Sequence, residues 1–188
     1  MADKSRLAAL TPLGHAEPRT EVIGPFTITE RVDTALASLA LRHGREAEVR
    51  RAAKAAGIPL PEPGRYASAK MSAFWLAPDM WMIEAPFSRH EDIRGHLLQV
   101  FDTAASITEQ TDAWVRFDLS GATLTSLMER LCNVDLARIT EGAATRTVID
   151  HLGCYIIKHS TTRITIYGPR SSAQTLHHAL SVTANSLA

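Results

Sequence analysis

The sequence is poor in cysteine, in aromatic residues and in net charge of either sign. Only two of its 188 residues are cysteine, and Cys132 and Cys154 do not have the spacing of a zinc site or a redox motif. We therefore expect both to be small, buried apolar side chains in a reducing compartment. Twenty basic and twenty acidic residues give a formal net charge of zero, without the basic cluster that nucleic acid or an anionic membrane would require.

Long apolar runs are also missing. No stretch approaches the roughly 20 residues that cross a bilayer, and the polar start, Met1 to Arg6, is not followed by the apolar segment of a signal peptide. The sequence thus predicts a cytoplasmic protein that does not contact a membrane. A net charge of zero gives little protection against self-association, which favours a chain that works inside a complex.

Metal ligands do not converge in the sequence. His177 and His178 are adjacent, so on a helix they point about 100° apart and cannot both face one ion. His151 and His159 lie on different predicted elements, and the only carboxylate beside them is Asp150. A small enzyme with its site among these last three residues stays open as an alternative, although no reaction can be proposed for it.

Loops that hold nucleotides or activate a nucleophile are absent as well. No G-x-G-x-x-G follows a predicted strand, there is no Walker A lysine motif, and Ser120 lacks a G-x-S-x-G frame, so it is better placed to cap a helix. Trp75, Trp81 and Trp114 could stack on a flavin or a pterin, but packing is the commoner use of a strand tryptophan. We predict no catalytic, cofactor-binding or metal-binding residue in this chain.

The sharpest hydrophobic pattern lies in the second half, residues 111–188. Val115, Phe117 and Leu119 alternate with Arg116 and Asp118, which predicts a strand that packs on one face only. The next predicted element is a helix with Leu124, Leu127, Met128 and Leu131 inward. Three strands follow, over Thr145–Leu152, Cys154–Lys158 and Thr162–Tyr167, with turns at Gly153 and at His159–Thr161. The last predicted element is a helix capped by Ser171 and Gln174, with Ala173, Leu176 and Leu180 inward.

The first half, residues 32–110, has a matching order of elements. The pattern predicts a strand over Leu36–Leu41 and a helix over Glu46–Ala56 that ends at Gly57. A hairpin of Met71–Leu76 and Trp81–Ala85 follows. The last two elements are a helix capped by Ser88 and Glu91, with Ile93, Leu97, Val100 and Phe101 inward, and a strand over Ser106–Glu109. This is the order of a ferredoxin-like split βαβ unit. We predict an α+β fold in which two such halves share one core within a single domain, 32–188.

Residues 1–31 lack periodicity and contain several prolines and glycines, so we predict an N-terminal arm. Seven large apolar side chains within it must be covered, either by this chain's own sheet or by a partner subunit, and of the two we expect the partner. These side chains are those of Leu7, Leu10, Leu13, Val22, Ile23, Phe26 and Ile28.

Two short motifs, at Thr11–His15 and Trp75–Met82, carry a family resemblance. They resemble the S-P-L-x-H opening and the L-G-P-D-E-W-L hairpin of the gamma subunit of heterotetrameric sarcosine oxidase. The remaining matches follow the family's order with similar gaps: Leu119-Ser120-Gly121, Leu127, Leu131-Cys132, Val134-Asp135-Leu136, Gly142, Thr145-Arg146-Thr147, Ile164–Tyr167 and Arg170-Ser171-Ser172-Ala173.

The resemblance implies a non-catalytic subunit with the fold of aminomethyltransferase-type folate-binding domains. It also implies alpha, beta and delta partner subunits, in an assembly that oxidatively demethylates sarcosine or a related N-methyl amine. In that family FAD and FMN lie with the alpha and beta chains, NAD and tetrahydrofolate with the alpha chain and zinc with the delta chain, so this chain is expected to hold no cofactor.

An alternative is a stand-alone folate-binding protein of the aminomethyltransferase superfamily. Gly153-Cys154-Tyr155-Ile156 overlaps the K-G-C-[YF]-x-G-Q signature of such proteins. Leu152, Ile157 and Lys158 replace the lysine, the glycine and the glutamine of that signature.

Overall fold

Two antiparallel sheets form the centre of the protein in a computed structural model, which describes residues 8–188. Strands are numbered in chain order. The six-stranded sheet I has the order β1-β2-β8-β11-β10-β9, with β1 (Thr20–Ile23), β2 (Phe26–Arg31), β8 (Trp114–Gly121), β9 (Ala144–Ile149), β10 (Leu152–Ser160) and β11 (Arg163–Pro169). The five-stranded sheet II has the order β4-β5-β6-β3-β7, with β3 (Thr34–Leu41), β4 (Tyr66–Ser68), β5 (Ser72–Ala77), β6 (Met80–Pro86) and β7 (Ala105–Glu109).

Four helices cover the outer faces of the two sheets. Sheet II is covered by α1 (Glu46–Ala56) and α2 (Ile93–Phe101), and sheet I by α3 (Leu124–Leu131) and α4 (Ala173–Asn185). Each helix presents an apolar stripe at helical spacing to its sheet, as predicted. The layers are therefore helices, sheet II, sheet I, helices, and no helix among residues 8–188 is long and apolar enough to cross a membrane.

The two halves have the same topology, which confirms the predicted α+β class. In the first half the strands β7-β3-β6-β5 lie in the order of a βαββαβ unit, with β4 added at the edge. In the second half β2-β8-β11-β10 repeat that order, with β9 at the corresponding edge. The fourth strand of the second unit is therefore β2, which precedes the first half in the sequence.

This arrangement corrects the predicted N-terminal arm. Residues 20–31 form the β1–β2 hairpin, and β2 pairs with β8 from Phe26 opposite Gly121 to Arg31 opposite Arg116. Of the seven apolar residues assigned to the arm, Leu13, Ile23, Phe26 and Ile28 are buried in this chain's own core, Leu10 and Val22 are exposed, and Leu7 lies outside the described residues. This chain's own sheet I, rather than a partner subunit, covers most of these apolar side chains.

The buried apolar side chains form three clusters. One lies between sheet I and its helices, one between sheet II and its helices, and the third joins the inner faces of the two sheets. The third is the shared core predicted between the halves, and its buried members are Leu36, Phe74, Met82, Ala144, Tyr155, Ile157 and Tyr167. Because sheet II covers part of sheet I, β8 packs on both faces, and the prediction of a one-faced strand was wrong.

Some local predictions also need correction. The N-terminus of α2 is capped by Asp92, which accepts a hydrogen bond from the Gly95 amide, and not by Ser88 and Glu91. No side-chain hydrogen bond caps α4, so the Ser171 and Gln174 pair is not a capping box. The β9–β10 turn lies at Asp150 and His151, both with positive φ, and Gly153 lies within β10.

Candidate functional site between the two sheets

A polar stripe crosses the inner face of sheet I, where the apolar third cluster ends. Arg31, Arg116, Tyr167 and Tyr155 lie side by side on four neighbouring strands, β2, β8, β11 and β10. These residues come from both ends of the sequence. Strand pairing therefore builds a row of two arginines and two phenols that no local sequence pattern contains.

Arg116 is the centre of this stripe. Its Nε and Nη2 donate to the two carboxylate oxygens of Asp118 at 2.9 and 3.0 Å, and its Nη1 donates to Thr34 Oγ1 at 3.1 Å. The pairing with Asp118 is bidentate, a geometry that fixes the plane of the guanidinium group. Thr34 lies in sheet II, so Arg116 connects the two sheets.

A second connection is formed by a buried carboxyl group. The Tyr167 hydroxyl of sheet I donates to Glu84 Oε1 of sheet II at 2.7 Å, and both side chains are buried. Burial raises the pKa of Glu84 above its ordinary value, although Arg116 and the hydrogen bond from Tyr167 act in the opposite direction. Burial also raises the pKa of Tyr167, so the neutral phenol is favoured as the donor.

Asp118 extends the network along the sheet. Thr165 Oγ1 donates to Asp118 Oδ1 at 2.7 Å, and His159 Nε2 lies 2.9 Å from the same Thr165 oxygen. Because the hydroxyl proton of Thr165 is directed at Asp118, His159 Nε2 acts as the donor to Thr165. Burial lowers the pKa of His159, which favours the neutral ring in this role.

A cavity of about 290 Å³ opens at one end of this stripe, between the ends of the sheets and the loop that precedes β1. Its inner wall includes Leu36, Trp114, Arg116 and Tyr167. Two more open cavities, of about 340 and 270 Å³, adjoin the same two arginines, Arg31 and Arg116. The stripe is thus partly accessible although its central groups are half-buried or buried.

The residues of the alternative enzyme site are not brought together. Asp150 and His151 are exposed at the β9–β10 turn, whereas His159 lies at the opposite end of β10. Eight residue steps along the strand separate His151 from His159, a span of roughly 26 Å. Within residues 8–188, no three His, Cys, Asp or Glu side chains are grouped so that they could hold a metal ion.

The other candidate residues have structural partners. Ser120 is paired with Thr27 and Arg163 at the end of β8, and does not cap α3, which begins at Leu124 after Thr123. Trp81 is buried, with its indole N–H donating to the Pro61 carbonyl at 2.8 Å, and Trp75 lies beside it on β5.

Cys154 is fully buried, and burial raises the pKa of its thiol to about 11, so the thiolate is disfavoured. The other cysteine, Cys132, is only half-buried.

The folate-type segment of β10 has a different use in this chain. Lys158, at the position of the signature's glutamine, is buried, and its Nζ donates to the carbonyls of Leu136 and Ile139 at 2.6 and 2.8 Å. Ile157, at the position of the glycine, is buried in the cluster between the sheets. These two side chains fix the 132–142 connection and the inner face of sheet I.

The fold defined by these layers is similar to that of a solved aminomethyltransferase. The glycine cleavage system aminomethyltransferase T from Bartonella henselae superposes with a TM-score of 0.63 at 12% identity, over 80% of this chain and 44% of that chain. This protein thus spans less than half the length of that enzyme.

A solved structure of the heterotetrameric sarcosine oxidase from Corynebacterium sp. U-96, in complex with pyrrole 2-carboxylate, is more similar. It superposes with a TM-score of 0.75 at 19% identity, and the match covers 88% of both chains. This likeness is one of fold, and it confirms the resemblance predicted from the short motifs at that level. No protein-family model and no curated protein matches the sequence.

Proposed function

We propose that this chain is a non-catalytic, gamma-type subunit of a cytoplasmic heterotetrameric sarcosine oxidase. In this role it supports the assembly of alpha, beta and delta subunits that oxidatively demethylates sarcosine or a related N-methyl amine. The carrying observation is the likeness of fold to a chain of the Corynebacterium sarcosine oxidase over 88% of both chains, which makes the two of similar size as well as architecture. FAD, FMN, NAD, tetrahydrofolate and zinc would then belong to the partner subunits.

The motifs that resemble the gamma family support the proposal because they occupy positions that hold the fold together. In the Thr11–His15 loop, the Leu13 amide donates to the buried carboxylate of Glu30 at 2.9 Å. Gly121 lies so close to β2 that an added Cβ would be 2.6 Å from the Pro25 carbonyl oxygen. Residues that such motifs share are thus explained by packing, as expected of a subunit whose role is structural.

Co-expression provides the direct test. The chain, tagged at Met1, is produced with the alpha, beta and delta subunits of a sarcosine oxidase from the same source and purified through the tag. We expect a stoichiometric complex with flavin absorbance and sarcosine-dependent peroxide formation. A matched preparation without this chain should assemble poorly, and recovery of the tagged chain alone would contradict the proposal.

A folate-binding protein remains the second candidate, because the aminomethyltransferase of Bartonella henselae shares the fold. Titration of the isolated chain with tetrahydrofolate, followed by calorimetry, separates the two. If the chain is a subunit of this kind, we expect no saturable heat of folate binding, because the buried Ile157 and Lys158 stand where the folate signature has glycine and glutamine.

A further inference from the structure

The cavity of about 290 Å³ has an apolar rim that none of the residues 8–188 covers. Among residues 8–188, six large apolar side chains are exposed, and three of them, Leu10, Val32 and Phe87, line this one cavity. Exposed apolar residues scattered singly need no explanation, but a cluster around a concave opening is typical of a binding site.

The wall of the cavity combines aromatic surface with positive charge. Trp114 and Tyr167 contribute ring surface, while Arg31, Arg116 and Arg170 contribute cations. Among the described residues, Asp112 is the one acid that lines the wall, and it lies 3.6 Å from Arg170.

Two of these arginines also have carboxylate partners outside the cavity. Asp33 pairs with Arg31 and Asp118 with Arg116, but neither aspartate lines the cavity. The cavity therefore presents paired guanidinium groups at its wall and apolar side chains at its mouth.

Arg116 also has hydrogen-bonding capacity to spare. Three of its N–H groups donate to Asp118 and Thr34, whereas a guanidinium group carries five. Within the described part of the chain, the other two have no acceptor. Arginine is suited to carboxylates because its planar fork matches the two oxygens of the anion.

From this geometry we propose that the cavity binds a small organic acid, with a flat apolar body against Trp114 and its carboxylate toward Arg31 and Arg116. The volume is at the lower end of the roughly 300–1,000 Å³ of ligand pockets, so a folate-sized molecule does not fit. The site is complete within this chain and does not depend on the proposed assembly.

The indole N–H signals of the three tryptophans provide a local test, with benzoate as the probe. In a nitrogen–proton correlation spectrum of the isolated chain, we expect the Trp114 signal, assigned with Trp114→Phe, to shift saturably at millimolar benzoate. The Trp81 signal should stay in place, because its indole lies at Pro61 and outside the cavity. Benzyl alcohol, which has the ring without the charge, should bind at least fivefold more weakly.

Variants separate charge recognition from apolar binding. Arg31→Gln should weaken benzoate binding at least fivefold, whereas the matched Arg163→Gln, on an exposed arginine that does not line this cavity, should leave it unchanged. Val32→Trp narrows the mouth and should abolish the shift while the Trp81 signal reports an intact fold.

An unmoved Trp114 signal, or equal binding of benzoate and benzyl alcohol, overturns the proposal. If Trp114 responds only when the partner subunits are added, the cavity accepts a partner side chain and the small-acid proposal is likewise overturned. Neither result bears on assembly itself, which the co-expression experiment measures separately.

Discussion

Tyr167 and Glu84 join the two sheets by a hydrogen bond of 2.7 Å, although 83 positions separate them in the sequence. Both groups are buried, and among the described residues the Tyr167 hydroxyl is the one hydrogen-bond donor to the Glu84 carboxyl. Removal of one partner from such a pair leaves a desolvated polar group, which costs about 1–3 kcal/mol.

We therefore expect Tyr167→Phe to lower the free energy of unfolding by about 1–3 kcal/mol in urea denaturation. Tyr66→Phe is the matched control. Tyr66 packs against the same cluster between the sheets, but its hydroxyl has no hydrogen bond to any of the described residues. Equal losses in the two variants would show that the bond to Glu84 contributes nothing to stability.

Glu84 should also make stability depend on pH in a defined direction. Burial raises its pKa in the folded protein, so the folded state holds the proton more tightly than the unfolded chain. The resulting stability is complete below the ordinary pKa of 4.5 and is lost as the pH rises toward the folded-state value.

Glu84→Gln does not titrate, so we expect its stability relative to the unaltered protein to increase as the pH rises above 4.5. Denaturation at several pH values measures this difference. A constant difference across the range would mean that the carboxyl has the same pKa in both states, contrary to its burial.

The position of β2 in the core can be tested with two aliphatic residues of one hairpin. Ile28 is buried at 1% exposure, whereas Val22 on β1 is 71% exposed. Ile28→Ala should destabilise the isolated chain by about 2–5 kcal/mol, as large-to-small core substitutions do. Val22→Ala should change stability by less than about 0.5 kcal/mol. A small effect at Ile28 would favour the partner-bound arm that the sequence predicts.

Gly121 tests the close approach of β8 to the start of β2. An added Cβ would lie 2.6 Å from the Pro25 carbonyl oxygen, which is backbone and cannot turn away. Gly121→Ala should therefore lower the melting temperature by several degrees, corresponding to about 1–3 kcal/mol of overpacking. Gly153→Ala is the control, since its nearest neighbour is the Arg146 side chain at 3.6 Å. Similar melting of both variants would contradict the close contact.

Local chemistry determines how much of this fold is visible in the sequence. The pattern predicts α1 with its bounds, because an amphipathic stripe ends at Gly57, which adopts the left-handed conformation that glycine favours. The hairpin β5–β6 is also predicted, with each strand end one residue away from its observed position. In contrast, β2 was missed even though Phe26 and Ile28 alternate with threonines, because its pairing partner β8 is distant in sequence.

The site between the sheets was missed for a related reason. Arg116 and Asp118 alternate with apolar residues, and a period of two cannot distinguish a face turned to water from one turned to a second polar layer. Glu84 lies in a correctly predicted strand, but only the pairing of distant strands places it opposite Tyr167. A carboxylate within an otherwise apolar strand was the available signal.

The placement of β2 has a consequence for synthesis on the ribosome. This strand emerges before either helix of the first half, yet Arg31 must wait for Arg116, 85 positions later, before β2 gains its neighbour β8. Until then the β1–β2 hairpin has an open edge and uncovered Phe26 and Ile28 side chains, features that attract chaperones or other chains. The slowest step in the folding of the nascent protein should therefore be the pairing of β2, from its first hairpin, with β8 of its second half.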